Sequence, residues 1–168
     1  MVALSAGTLL YKFEGEVLFV LIAHMGGPFW SRKDNRAWSI PKGEYEEGDD
    51  PQAVAAREFH EEMGSPLPDG DLVELGVVKQ PSGKKITAYA LEADFNAEDI
   101  KSNLFEMEWP KGSGNMQSFP EVDRAAWFEC ATAREKLLKG QLPILDRLIS
   151  HLQEKNITVS ETKENALF

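Results

Sequence analysis

Three glutamates, Glu58, Glu61 and Glu62, lie within five residues of the sequence and have the chemistry to bind a divalent cation. Asp50 is a favourable helix N-cap and Gly64 a favourable helix end, so a helix is predicted between them. At about 100° per residue, the three carboxylates share one face of that helix. Carboxylate oxygens suit Mg²⁺ or Mn²⁺. A solvated acidic helix face is the alternative interpretation of the three glutamates alone.

The segment that precedes this helix has the composition of a phosphate-binding loop. Lys42, Gly43 and Gly48 predict a short loop that ends at the helix N-terminus. There, unpaired N–H groups and the helix dipole favour anions. Three carboxylates beside a glycine-containing loop with a lysine are typical of a site for a metal-chelated phosphate. The segment therefore favours a metal site over a solvated face.

The stretch from Gly43 to Ser65 resembles the signature of the Nudix hydrolases, which is Gly, five residues, Glu, seven residues, then Arg-Glu-apolar-x-Glu-Glu-x-Gly-apolar. Gly43 opens the pattern, and the run from Arg57 to Gly64 closes it at matching intervals. Two positions depart from it: Asp49 stands in place of a glutamate, and Ser65 in place of an apolar residue. Neither departure falls on the three glutamates, and a match of this length at fixed spacing is highly specific.

The resemblance implies a fold and a reaction. The fold is the α/β Nudix fold, a mixed β-sheet sandwiched between α-helices (α/β/α). The reaction is hydrolysis of a phosphoanhydride in a nucleoside diphosphate linked to another moiety, with a nucleoside triphosphate or dinucleoside polyphosphate as the expected substrate. The implied cofactor is Mg²⁺ or Mn²⁺, as two or more ions, because such ions neutralise phosphate charge and lower the pKa of bound water.

The same resemblance assigns roles to residues of the signature. The expected metal ligands are oxygen donors, namely the carboxylates of Glu58, Glu61 and Glu62 and the backbone carbonyl of Gly43. Glu61 is also a candidate general base, and the two roles stay open. Arg57 is expected to orient a catalytic glutamate such as Glu58. The alternative for Arg57 is a surface pair with Glu61, worth about 0.2–0.5 kcal/mol.

An auxiliary acidic residue is expected outside the signature. Members of the family commonly carry one shortly before a tryptophan on a late strand. Glu121 lies six residues before Trp127 and is the first candidate for an additional metal ligand or a water-activating group. Asp123, Glu106 and Glu108 compete with it.

Two segments, 24–36 and 94–120, are candidates for substrate recognition. The first concentrates cations beside aromatics, a combination that can bind a polyphosphate and stack a base. The second is predicted to be a long irregular loop, since it contains several glycines and prolines. The alternatives are a solvated hairpin for the first segment and aromatics that pin the second to the core. The candidate substrate-binding residues are Lys42, Trp30, Arg32, Lys33, Arg36 and Trp109.

Apolar patterning predicts the elements that must position these residues. Strands are expected over 3–11, 17–23, 71–80, 84–93 and 124–129, and two C-terminal helices over 132–138 and 144–153. The strands over 71–80 and 84–93 form a hairpin around Pro81-Ser82-Gly83. The lysines beside this turn, Lys79, Lys84 and Lys85, are interpreted as solvated residues, with a phosphate contact as the alternative.

Length and composition set the remaining expectations. The 168 residues suit a single domain over 1–155, followed by a polar and mobile tail over 156–168. The net charge of −10 argues against an extended nucleic-acid partner. A single cysteine fits a cytoplasmic location, and the sequence predicts neither a signal peptide nor a membrane-spanning segment. A small nucleotide or polyphosphate is the expected partner, bound by a monomer or homodimer.

Two other functional classes are compatible with the sequence. One is a non-catalytic nucleotide-binding module, and the other is a partner-docking protein, each on a Nudix scaffold. All three glutamates of the signature are retained. Their retention favours the enzyme.

Overall fold

A computed structural model describes residues 3–164. The strands of this part are β1 (Leu4–Glu14), β2 (Val17–Met25), β3 (Trp38–Ser39), β4 (Lys42–Tyr45), β5 (Val73–Lys79), β6 (Lys85–Glu92), β7 (Leu104–Glu108), β8 (Met116–Pro120) and β9 (Val122–Glu129). Its α-helices are α1 (Pro51–Met63), α2 (Cys130–Lys136) and α3 (Leu142–Glu154). The strands and helices predicted from apolar patterning are confirmed, with bounds that shift by a few residues.

A seven-stranded mixed sheet organises the fold around strand β1. Strands β1 and β2 form an antiparallel hairpin, and β6 pairs with β1 in parallel along most of its length. Strand β4 pairs antiparallel with the first residues of β1, on the side opposite β6. Strand β5 continues the sheet beyond β6, whereas β3 and β9 pair with β2. Because β1 and β2 are apolar on both faces, the sheet must be covered on both sides.

Helices cover the two faces of the sheet separately. On one face, Phe59 of α1 packs with Leu10 and Leu21 of the central strands. On the other face, Leu145 and Leu148 of α3 pack with the neighbouring strand positions, together with residues of α2. The structure confirms the predicted mixed sheet between layers of helices.

Helix α1 begins and ends where the sequence predicts. The Asp50 carboxylate accepts a hydrogen bond from the Gln52 N–H, which satisfies one of the unpaired donors of the first turn. Gly64 adopts a left-handed conformation (φ 80°), and its N–H donates to the His60 carbonyl. The capping residues therefore fix both helix ends locally.

Two predicted loops contain strands instead. Lys42–Tyr45 is strand β4 and not part of a loop, because its backbone pairs with β1. Within 94–120, β7 and β8 form a separate two-stranded hairpin, so the prediction of an irregular segment is wrong there. Gly112 and Gly114 lie in its turn, and their N–H groups donate to the Glu108 carboxylate. These glycines build the turn of the hairpin and do not interrupt its strands.

Part of the predicted polar tail packs on the sheet. Ser160 bridges to Val17 at the start of β2, and Glu161 pairs with Arg134 of α2. The predicted domain boundary at residue 155 stays a prediction, and residues 165–168 of the predicted tail lie outside the described residues. Among residues 3–164, no helix has the length and apolar character needed to cross a membrane.

Candidate active site

A cavity of about 330 Å³ opens where helix α1, strand β4 and the turn between β5 and β6 meet. Its walls are mostly polar and charged, and they contain residues of the signature together with residues distant from it in sequence. The lining residues are Ser5, Lys42, Gly43, Glu44, Glu58, Glu62, Gln80, Lys84, Asn103 and Glu121.

Gly43 allows the Glu58 carboxylate to lie directly against strand β4. A Cβ atom at this glycine would be 2.0 Å from Cδ of Glu58, a distance that no packed structure tolerates. The Glu58 side chain is only 15% exposed, and burial raises its pKa, as does the charge of Glu61. The Arg57 guanidinium, 3.5 Å from Oε1 of Glu58, opposes this rise in pKa. The spacing of glycine and glutamate in the signature thus has a steric reason.

Glu62 is the most perturbed carboxylate of the cavity. Burial raises the pKa of Glu62 to about 8, against the nearby positive charge of Lys42. The charges of Glu58 and Glu121 contribute to this rise in pKa. Within residues 3–164, the side chain has one hydrogen bond, from the Lys42 backbone N–H to Oε2 at 3.3 Å. A half-buried carboxylate with so few donors is costly unless it is protonated or bound to a cation.

Glu121 reaches the same cavity through backbone hydrogen bonds. Its N–H donates to the Asn103 carbonyl at 2.9 Å, and the Asn103 N–H donates to the Glu61 carbonyl at 2.8 Å. The Gly26 N–H donates to the Glu121 carbonyl at 2.9 Å. These bonds fix the backbone of Glu121 beside the C-terminal half of α1, although the signature lies far away in the sequence.

The acidic residues that compete with Glu121 lie elsewhere in the described structure. Oδ1 of Asp123 accepts a hydrogen bond from Nδ1 of the buried His24 at 2.8 Å. Glu108 binds the turn of the β7–β8 hairpin, and Glu106 is exposed on β7. None of the three lines the cavity.

Glu61 and Arg57 lie on the outer side of helix α1. Both are exposed and line a shallow groove with His60 and Pro66, outside the cavity. Glu61 remains close enough to Glu58 for its charge to raise the pKa of that carboxyl group. Among residues 3–164, no three acidic, histidine or cysteine side chains converge into a preformed metal cage. The role of Glu61 as ligand or base stays a prediction.

The donors of the cavity nevertheless fit a hard divalent cation. Glu58, Glu62 and Glu121 all line the cavity, and so does Gly43. Oxygen donors of this kind are the ligands that Mg²⁺ takes, usually with several waters retained. A cation would also compensate the charge of the half-buried Glu62.

Of the predicted substrate-binding residues, only Lys42 lines this cavity. Nζ of Lys33 lies 3.7 Å from the ring centre of Phe29, in the loop that also holds Trp30 and Arg32. Arg36 donates from Nη1 to the Arg134 carbonyl at 2.6 Å, which ties this loop to helix α2. Trp109 lies at the tip of the β7–β8 hairpin. Substrate contacts by these residues remain predictions.

Most residues of the cavity wall opposite helix α1 are not predicted from the sequence. Ser5 and Glu44 are not singled out, and Lys84 is interpreted as solvated. Their proximity arises from the pairing of β1 with β4 on one side and with β6 on the other. The available sequence signal is the position of Lys84 immediately before β6.

Comparison with known proteins identifies the family. The family model described as NUDIX domain matches residues 1–148. The chain belongs to the NUDIX family. An RNA pyrophosphohydrolase of Pseudoalteromonas translucida (strain TAC 125) is 32% identical over 62 residues, which span 36% of this chain and 36% of that protein. The aligned part therefore covers about a third of that relative.

Solved NUDIX structures have the same fold. The NUDIX domain of Shewanella oneidensis NrtR, complexed with ADP ribose, superposes with a TM-score of 0.62 at 16% identity, over 90% of this chain and 89% of that one. A binary complex of a C. elegans Ap4A hydrolase superposes with a TM-score of 0.58 at 17% identity, over 89% of this chain and 98% of that one. A MutT protein from Methanosarcina mazei Go1 superposes with a TM-score of 0.56 at 20% identity, over 89% of this chain and 94% of that one. The predicted family and fold are confirmed.

Proposed function

We propose that this chain is a Mg²⁺- or Mn²⁺-dependent hydrolase that cleaves a phosphoanhydride in a nucleoside diphosphate linked to another moiety. The first substrates to test are nucleoside triphosphates and dinucleoside polyphosphates. The observation that carries the proposal is the position of Glu58, Glu62 and Glu121 around one cavity, with Glu62 half-buried and poorly compensated. Relatives named as an RNA pyrophosphohydrolase and an Ap4A hydrolase support this reaction class.

The proposed ligands of the metal ions are Glu58, Glu62, Glu121 and the Gly43 carbonyl. Bound ions would neutralise the charge of the diphosphate and lower the pKa of an attacking water. The Lys42 backbone N–H holds the Glu62 carboxylate in place, and the Lys42 ammonium adds positive charge at the cavity. Arg57 restrains Glu58 from the outer side of the helix.

Glu61 is the proposed proton acceptor for the attacking water. Its exposed side chain neighbours Glu58 at the edge of the metal ligands, so it can exchange protons with solvent. The ligand Glu62 is less suited to this role because its side chain is enclosed and bound to the β4 backbone. Glu61→Gln should therefore lower kcat while leaving the Mg²⁺ requirement nearly unchanged.

The test is an activity screen of the full chain with Mg²⁺, Mn²⁺ or EDTA. The substrate panel contains nucleoside triphosphates, dinucleoside polyphosphates, nucleotide sugars including ADP-ribose, inositol pyrophosphates and capped RNA, with products identified by mass. Glu62→Gln should abolish metal-dependent turnover. Glu135→Gln is the matched control, since Glu135 is exposed on α2 behind the sheet.

The outcomes of this screen separate the candidate functions. Metal-dependent products from at least one substrate, lost in Glu62→Gln and kept in Glu135→Gln, support the proposal. Circular dichroism of both variants excludes loss of the fold as the cause. Metal-dependent nucleotide binding without any product would refute hydrolysis and favour a non-catalytic nucleotide-binding module.

A further inference from the structure

Lys84 and Glu44 form an ion pair on the wall of the cavity opposite helix α1. Nζ of Lys84 is 3.8 Å from Oε1 of Glu44, and both residues line the cavity. The two residues belong to different strands on either side of β1, where Leu4 pairs with Tyr45 of β4 and with Lys85 of β6. Strands two positions apart are separated by about 10 Å. The Lys84 side chain therefore crosses over β1 to reach Glu44.

This pair does not serve as a structural brace. The side chains of Lys84 and Glu44 are 54% and 70% exposed. An ion pair so open to water contributes little to stability. The two charged atoms, 3.8 Å apart, are also beyond hydrogen-bonding distance. The Lys84 ammonium is therefore free to exchange Glu44 for an anion that enters the cavity.

The charge balance of the cavity makes Lys84 the natural partner for such an anion. Its walls carry four glutamates and two lysines. Lys42 acts on Glu62, where its charge opposes the rise in pKa. Lys84 has only the exposed Glu44 as a partner among the described residues. A lysine ammonium is a compact charge that binds phosphate well.

We propose that Lys84 binds a phosphate group of the substrate other than the two joined by the scissile bond, and that Glu44 competes with this phosphate for the ammonium. The inference rests on the proposed function, in which Glu58 and Glu62 of α1 would hold the metal ions that bind the diphosphate. A chain of three or more phosphates would extend from there toward Lys84, which lines the same cavity. The implied substrate class is a linear polyphosphate, in preference to a diphosphate that joins two sugars.

Because Glu44 and the phosphate compete for Lys84, substitutions of Lys84 and of Glu44 should change the affinity for a triphosphate in opposite directions. Lys84→Met should weaken binding of a triphosphate about 10- to 30-fold, the value of one charge-assisted contact. Glu44→Gln should strengthen it about two- to fivefold, because the phosphate no longer displaces an exposed partner. The double variant should match Lys84→Met, since Glu44 acts through Lys84. A simple structural pair would instead weaken binding in both single variants.

The experiment measures binding of non-hydrolysable ligands to the full chain by calorimetry in Mg²⁺. The probes are methylene-bridged analogues of a nucleoside triphosphate and of the matching nucleoside diphosphate. Lys79→Met is the control, because Lys79 lies on the same hairpin, is exposed and does not line the cavity. Binding of the diphosphate analogue should change less than twofold in every variant.

Three results would overturn the inference: no binding of the triphosphate analogue to the unmodified chain, unchanged affinity in Lys84→Met, or weaker binding in Glu44→Gln. The readout does not depend on turnover. If the predicted pattern of affinities appears but no substrate is cleaved, the inference stands and the proposed hydrolysis fails. If substrates are cleaved but Lys84→Met binds the triphosphate analogue normally, the proposed hydrolysis stands and the inference about Lys84 fails.

Discussion

Glu62→Gln is expected to stabilise the metal-free protein at alkaline pH while it removes the activity. The pKa of Glu62 is about 8 in the folded chain, against 4.5 for an ordinary glutamate. Between these two values the folded state holds a proton that the unfolded state has released. The stability contributed by the protonated group is therefore fully present below about pH 4.5 and is lost as the pH rises through about 8. Because glutamine cannot ionise, the Glu62→Gln variant does not lose this stability at alkaline pH.

The size of the effect follows from the two pKa values. At about 1.4 kcal/mol per pH unit, full ionisation of Glu62 would cost at most about 5 kcal/mol. Movement of the carboxylate toward water in the cavity lowers this cost, so we expect about 2 kcal/mol in the free energy of unfolding. For a chain of this length, this corresponds to about 4–8 °C in Tm. The gain of Glu62→Gln over the unmodified chain should grow from about pH 5 to about pH 9.

The assay is thermal and denaturant unfolding in EDTA at several values of pH. Glu135→Gln serves as the control, since Glu135 is exposed on α2 and does not line the cavity. Its difference from the unmodified chain should not vary with pH. Saturating Mg²⁺ should remove most of the alkaline loss from the unmodified chain, because a cation that binds the folded state stabilises it. A pH-independent difference in stability between Glu62→Gln and the unmodified chain would show that ionisation of Glu62 does not cause the alkaline loss of stability.

Three further variants test other contacts of the site. Gly43→Ala should lower kcat/KM at least about 100-fold, because the new Cβ displaces the Glu58 carboxylate. It should change the free energy of unfolding by less than about 1 kcal/mol, because that side chain can swing away; a large loss of stability in urea unfolding would contradict this. Glu121→Gln should raise the Mg²⁺ concentration needed for half-maximal activity about tenfold, and an unchanged metal titration would exclude Glu121 as a ligand. Arg57→Ala should lower kcat with little change in KM, whereas a rise in KM alone would assign it to substrate binding.

Local sequence signals determined the helix that carries the site. The N-cap Asp50 and the left-handed Gly64 set the ends of α1, because both act through bonds to neighbouring backbone groups. Helical periodicity placed Glu58, Glu61 and Glu62 on one side, and alternation and turn residues predicted the hairpins of the sheet. The family signature added the expected chemistry. These features require no knowledge of distant parts of the chain.

The tertiary structure decided which of these side chains share the cavity. Successive residues of a helix differ by about 100°, so the rotation of α1 against β1 and β4 places Glu62 at the cavity and leaves Glu61 exposed outside it. The same holds for Lys84 and Glu121, which reach the cavity through strand pairing and loop contacts far from the signature. Strand register depends on packing across the whole sheet and leaves little trace in the local sequence. For that reason the signature predicted the chemistry, and only the assembled sheet brought the remaining wall of the cavity to it.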